Sequence, residues 1–243
     1  MARKVLLSID MDWFYRELPE WDWGHSESPV FLSEPIWLSR YQMLDVYSEC
    51  DPMRHADIPP MFFVNALQKK GFKLTKKTRI GGSWSHSDAY EFFKDSGAKV
   101  LFNFDAHHDL FSEDELDCGN WLYHLQRDDK LAEVVWVVPK WSEGLGWYGS
   151  PAGPIEVKHW EDLRDEEFEV EAVFIAQSPA WSPPHFDEEF GKLIGAFMAH
   201  AKKKKLDYPG KYALRPYPTK REAEHMLESW KELRKKLAAQ GAG

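Results

Sequence analysis

Cysteine is nearly absent from this sequence. Cys50 and Cys118 are the only two in 243 residues. That number excludes a disulfide framework and a thiolate zinc site, and it makes a reducing cytoplasm the expected compartment. Positive charge is also scarce: the formal net charge is -9 and the isoelectric point about 5.6. This balance argues against general nucleic-acid binding and suits a cationic ligand. No apolar run approaches the ~20 residues that a membrane span requires, and the amino-terminal residues carry no leader pattern. Repeats and low-complexity linkers are lacking too, so one domain over residues 1–243 is expected. The oligomeric state is left open at this point.

Tryptophan, by contrast, is abundant, with 12 residues. Trp13, Trp21 and Trp23 follow an early acidic pair, and Trp141 and Trp147 sit in a glycine-rich stretch. Most belong in a core. A few near a crevice could form an aromatic wall for a peptide or a guanidinium group. Apolar runs at 4–9, 72–75, 99–104, 133–138 and 170–176 read as strands. Residues 60–70, 87–95, 119–131, 160–168, 186–205 and 219–239 read as helices, while 13–36 and 141–154 read as loops. Strands alternating with helices specify an α/β fold, a three-layer α/β/α sandwich with a mostly parallel sheet.

Two of the strands end in acids. Lys99-Val-Leu-Phe-Asn-Phe runs into Asp105, His107 and Asp109, and Lys4-Val-Leu-Leu-Ser-Ile runs into Asp10 and Asp12. Side chains two apart on a strand share a face. Carboxylates and an imidazole at the end of a buried strand cost several kcal/mol if left unpaired, on the order of the desolvation of a polar group, and a metal ion removes that cost. A solvated acidic loop and an Asx turn are the plainer alternatives. In open α/β sheets, ligands bind at the carboxyl ends of the strands, so the two acidic ends would meet there. His86 stands at the entry of the 87–95 helix, where it would project toward the same edge.

Phe104-Asp-Ala-His-His-Asp109, Ser8-Ile-Asp-Met-Asp12, Ser85-His86-Ser87 and Cys118-Gly-Asn120 together resemble motifs of the ureohydrolase superfamily, which includes arginase and agmatinase. The order of motifs differs, since Asp-x-Asp opens this chain. That implies an arginase/deacetylase-like fold with rotated connectivity, similar to the divergent peptide arginases that convert peptidyl arginine to ornithine. The resemblance implies two Mn²⁺ ions per chain. One would be held by His86, Asp105, Asp109 and Asp10, the other by His107, Asp105, Asp10 and Asp12. It also implies that Asp109 orients a hydroxide and accepts its proton, that His124 or His108 shuttles a proton, and that Asn120 and Gln177 bind substrate. The substrate would be an arginine-containing peptide. The family's guanidinium-binding glutamate is missing: Ala176 and Gln177 occupy that strand end, and Glu17, Glu34 or Glu49 would have to replace it. An amide- or deacetylase-type metallohydrolase, and a non-catalytic peptide-binding protein with a structural metal site, are the competing expectations.

Overall fold

A computed structural model describes residues 2–16, 30–142, 150–163, 166–212 and 214–240. In chain order the strands are β1 (Arg3–Asp10), β2 (Phe72–Lys73), β3 (Arg79–Ser83), β4 (Val100–Phe104), β5 (Glu133–Val137), β6 (Glu156–Lys158), β7 (Phe168–Ala176) and β8 (Tyr208–Pro209). The helices are α1 (Val30–Met43), α2 (Val46–Glu49), α3 (Pro52–His55), α4 (Pro60–Lys69), α5 (Asp88–Phe93), α6 (Trp121–Arg127), α7 (Asp187–His200) and α8 (Lys220–Gln240). The strands join in one sheet of order β6-β5-β4-β1-β7-β3-β8, with β2 beside the start of β7. Every pairing is parallel. The fold is the expected α/β sandwich.

Alternation along the central strands builds two cores. Val5, Leu7 and Ile9 of β1 face one layer, together with Phe102, Phe104, Val173 and Ile175. Trp37 and Tyr41 of α1, Phe63 and Leu67 of α4, and Phe190 and Phe197 of α7 cover that layer. Leu6 faces the opposite layer with Leu101, Phe174 and Ala176, under Phe92 and Phe93 of α5 and Trp121 and Leu125 of α6. By the same period of two, Ser8 and Asp10 lie on the α5/α6 side. The connections set up the crevice. After β1 the chain enters the α1 layer, whereas after its neighbour β4 it enters the α6 layer. Adjacent strand ends whose loops part in opposite directions form a topological switch point, where ligands bind in such sheets.

Several elements differ from the sequence expectation. The 13–36 stretch is no single loop: a 3-10 turn spans Met11–Phe14, α1 begins at Val30, and Pro35 lies inside that helix. Residues 17–29 lie outside the described set. β3 was unexpected, because two of its five residues are glycines, which weaken strand propensity. A Cβ on Gly81 would come within 3.1 Å of Phe174 and 3.0 Å of Phe92, and one on Gly82 within 2.7 Å of Ile194. These glycines let α5 and α7 close on the strand from its two faces. The 160–168 helix shrinks to a 3-10 turn, Trp160–Asp162, and β7 starts at Phe168 rather than at residue 170. The 186–205 helix stops at His200, and Lys202 takes φ +54° just beyond it, a left-handed helix stop. Among the described residues no helix is long and apolar enough to cross a membrane.

Candidate metal centre

Four neighbouring strand ends supply the site. β1 ends at Asp10, whose Oδ1 accepts the Asp12 backbone N–H at 3.1 Å and so caps the turn that aims Asp12 inward. β4 leads into Asp105, whose Oδ1 accepts the His107 N–H at 2.7 Å. That bond turns His107 toward Asp12, with His107 Nδ1 3.1 Å from Asp12 Oδ2 and 3.6 Å from Asp105 Oδ1. The loop after β3 brings in His86. Its Nδ1 lies 2.9 Å from Asp10 Oδ2 and 3.2 Å from both Asp105 Oδ2 and Asp109 Oδ2. Beyond β7, Ser178 Oγ donates to Asp10 Oδ2 at 2.5 Å.

Two sets of donors could each hold a metal ion: Asp10, His86 and Asp105, and Asp12, Asp105 and His107. Asp105 belongs to both. Asp109 stands against the first set through His86, and its Oδ2 accepts Trp121 Nε1–H at 2.6 Å. All six residues named from the sequence as ligands therefore converge. Asp10, Asp12, Asp105, Asp109 and His86 are buried, whereas the His107 side chain is 26 % exposed and opens the site to solvent.

The charge arrangement fits a cation. Among the described residues no lysine or arginine reaches these four carboxylates; their ion pairs are with imidazoles. Burial, followed by repulsion from Asp10 and Asp105, pushes the Asp12 carboxyl well above its ordinary range. Burial and then Asp105 do the same to Asp109. Burial alone would also raise Asp105, but hydrogen bonds with His107 and His86 outweigh it and hold that carboxyl below its usual range. Burial works to lower His86, yet Asp10, Asp105 and Asp109 together raise it well above the usual imidazole value. His86 Nε2 sits 2.7 Å from Ser8 Oγ. When Nε2 donates its proton to Ser8, the Nδ1 lone pair faces three carboxylates and needs either a proton or a metal to sit there. A second partner that fixes the ring in this way is the usual support of a ligating histidine. Two imidazoles with four carboxylates form a hard, oxygen-rich donor set.

The backbone is strained at the same place. Asp109 and Ser178 adopt φ +53° and +47°, left-handed conformations unusual for residues with a Cβ. Both touch the cluster. Ser178 is held by its loop: Ser182 Oγ donates to the Gln177 and Ser178 carbonyls at 2.6 and 3.0 Å. Trp37 Nε1 donates to Pro179 O at 2.7 Å, and Arg40 donates to Ala180 O at 2.5 Å. Buried Arg215 donates to Pro179 O and to Ser182 O and pairs with Asp187.

Four other residues named from the sequence sit differently. Asn120 closes its own loop, accepting from Asp117 N at 2.8 Å and donating to Glu115 O at 2.7 Å. Gln177 Nε2 donates to Asp187 at 3.0 Å, so its amide serves the Arg215 clamp. His124 on α6 has the Tyr90 and Tyr123 rings as neighbours. His108 is buried against Phe111 and Trp136 and accepts Leu110 N–H on Nδ1. Of the candidate guanidinium acids, Glu49 pairs with Arg16 at 3.2 Å, Glu34 lines a groove beside α8, and Glu17 lies outside the described residues.

Sequence reasoning missed the supporting residues. Ser8, Ser178, Trp121 and Trp136 (which donates to Asp105 O at 2.8 Å) read as ordinary filler. Half-buried Trp181 lies beside the half-buried His107, with ring centres 5.2 Å apart. Trp13 is instead a core residue, and its carbonyl accepts Trp141 Nε1–H at 3.3 Å. Trp21, Trp23 and Trp147 lie outside the described residues. Cys50 is buried and Cys118 half-buried. Compared with family models, curated proteins and solved structures, the chain finds no match.

Proposed function

We propose that the protein is a binuclear manganese hydrolase that cleaves the guanidinium group of arginine within a peptide, giving ornithine and urea. The observation that carries this reading is the pair of donor sets sharing Asp105, sealed from water except at His107. His86, Asp10, Asp105 and Asp109 would hold one ion, and His107, Asp12, Asp105 and Asp10 the other. Divalent ions held there would make a hydroxide nucleophile available at neutral pH. Asp109, which accepts Trp121 Nε1–H, would orient the attacking water and take its proton. Trp181 offers a ring face to a guanidinium beside the opening, where cation–π attraction favours a planar cation. The net charge of -9 adds a general attraction for basic peptides.

One observation favours a second reading. The end of β7 presents Ala176 and a Gln177 already engaged by Asp187, so among the described residues that strand end offers no carboxylate for a guanidinium. An amide- or deacetylase-type hydrolase does not need one. A single experiment separates the two. Purified protein loaded with Mn²⁺ is analysed for metal content and incubated with arginine-containing peptides. The guanidinium reading expects two ions per chain, urea release and a loss of about 42 mass units per arginine. One ion per chain with cleavage of an acylated amine supports the second reading. No urea from any peptide or free guanidine, with Mn²⁺ bound, refutes the first.

A further inference from the structure

The carboxy-terminal helix has more apolar surface than its own chain covers. α8 spans 21 residues, about 31 Å at 1.5 Å per residue. Ala223, Met226, Trp230, Leu233 and Leu237 recur at intervals of 3, 4, 3 and 4, the spacing of a helix-pairing seam. Ala223 is buried, and Met226 and Trp230 are half-buried, where α8 packs on α1. Every residue from 231 to 239 is exposed, with Leu233 46 % and Leu237 55 % accessible. The seam thus runs off the body of the protein and continues uncovered.

Beside the covered half of α8 lies an open groove of about 1040 Å³. Its walls include Pro35 and Leu38 of α1, Tyr217, Met226 of α8, and the acids Glu34 and Glu222. Leu38 and Tyr217 are themselves largely exposed. Charge is divided along the helix. The first half carries Glu222, Glu224 and Glu228 after the Lys220–Arg221 start; the second half carries Lys231, Arg234, Lys235 and Lys236 against a single acid, Glu232. The free half is therefore apolar and basic. The groove is mainly apolar, and its lining includes the acids Glu34 and Glu222 and, among the described residues, one strong base, Arg221.

We propose that α8 makes the protein a two-fold dimer. Leu233 and Leu237 of each copy seat in the α1–α8 groove of the other, and the two α8 helices run antiparallel. Antiparallel pairing sets the basic half of one helix against Glu34, Glu222 and Glu228 of its partner copy, and two-fold symmetry satisfies both grooves at once. A parallel arrangement would place basic half on basic half.

Sedimentation of the full-length protein across micromolar concentrations tests this. A dimer of twice the 28.4 kDa chain mass is expected. The double variant Leu233→Glu/Leu237→Glu is expected to be monomeric with an unchanged circular dichroism spectrum, because both side chains are exposed in the single chain. A wild type that stays monomeric at ~100 μM, within the range where weak associations register, overturns the proposal. So does a dimer that persists in the leucine variant. Charge reversal tests the register. Lys235→Glu/Lys236→Glu alone and Glu34→Lys/Glu222→Lys alone are each expected to weaken self-association at least about tenfold, and an equimolar mixture is expected to form the mixed dimer. Absence of any preference for the mixed pair overturns the antiparallel groove docking.

Discussion

Two buried ionic clusters lie on either side of the loop after β7, and the chain treats them in opposite ways. In one, Asp187 accepts the Arg215 backbone N–H at 2.8 Å and the guanidinium Nε at 2.9 Å, with Gln177 completing its contacts. Acid and base come from the same chain and neutralise each other. In the other, Asp10, Asp12, Asp105 and Asp109 crowd around two imidazoles, and no lysine or arginine among the described residues enters. The same backbone loop touches both, through Ser178 on one side and Pro179 and Ser182 on the other. The chain supplies its own cation where it fixes structure. In the acidic cluster it omits one. A deficit of positive charge, inside a protein that balances a charge one loop away, leaves donors that could hold an ion from outside.

The largest expected effect comes from making the balanced cluster resemble the other. Arg215→Met keeps the volume of the side chain and strips Asp187 of its partner. Breaking a buried pair by removing one member costs about 3–5 kcal/mol, and the Pro179 and Ser182 carbonyls lose their donor as well. Urea unfolding should show that loss. Because the loop also carries Ser178, Mn²⁺ affinity of the folded fraction should fall too. A variant as stable as the wild type would mean that the clamp is incidental.

The next effect, smaller, runs in the opposite direction. Mn²⁺ added to the protein should balance the acidic cluster and raise its unfolding free energy, by about 2.7 kcal/mol at a hundredfold excess over Kd. Asp12 sharpens the contrast. Its carboxyl is held above the ordinary value, so above pH 3.8 the unfolded chain ionises it more readily than the folded one, and at neutral pH it subtracts from stability. Asp12→Asn should therefore leave the metal-free protein at least as stable as the wild type while abolishing most of the stabilisation by Mn²⁺. Asp187→Asn, by contrast, should destabilise with or without metal. Thermal unfolding of the three proteins with Mn²⁺ and with chelator reads all of this. Equal responses of the two variants would erase the distinction between the clusters.

The acidic cluster was legible in the sequence and the balanced one was not, for a physical reason. Asp105, His107 and Asp109 repeat at the strand period directly after an apolar run, and Asp10 and Asp12 do the same, so side-chain direction and strand end could be read together. His86 gained meaning only from those partners. Arg215 sits in a stretch without helix or strand and meets Asp187 from 28 residues away, so no local period announces it. Ser8 and Ser178 look like routine small residues until their distances to His86 and Asp10 are known. The sheet order was hidden at β3, where Gly81 and Gly82 serve helix approach instead of strand propensity, and α1 was hidden by Pro35. Periodicity reveals what an element does to its own neighbours; contacts closed by tertiary structure leave no such trace.

The smallest effect concerns a third answer to the same problem: an imidazole that stays neutral. His86 is buried and His185 half-buried, and they shift in opposite directions. Carboxylates raise His86, whereas burial and then the Arg215 charge push His185 down to about 3. His185 accepts or shares a hydrogen bond with Tyr41 Oη at 2.5 Å, stacks on Tyr47 and lies tilted against Phe186. Its folded value lies below the unfolded 6.5, so the unfolded chain takes up the proton first as pH falls. The stability linked to His185 is therefore complete above pH 6.5 and drains away toward pH 3. Between pH 7.5 and pH 5 this amounts to about 2 kcal/mol. His185→Phe retains the stacking partners and removes the titration. Urea unfolding of the metal-free proteins at those two values should show the wild type losing about 2 kcal/mol more than the variant, since every other group titrates alike in both. Equal losses would mean that the proton reaches the folded protein as easily as the unfolded chain, and that the Arg215 clamp does not extend its charge to this ring.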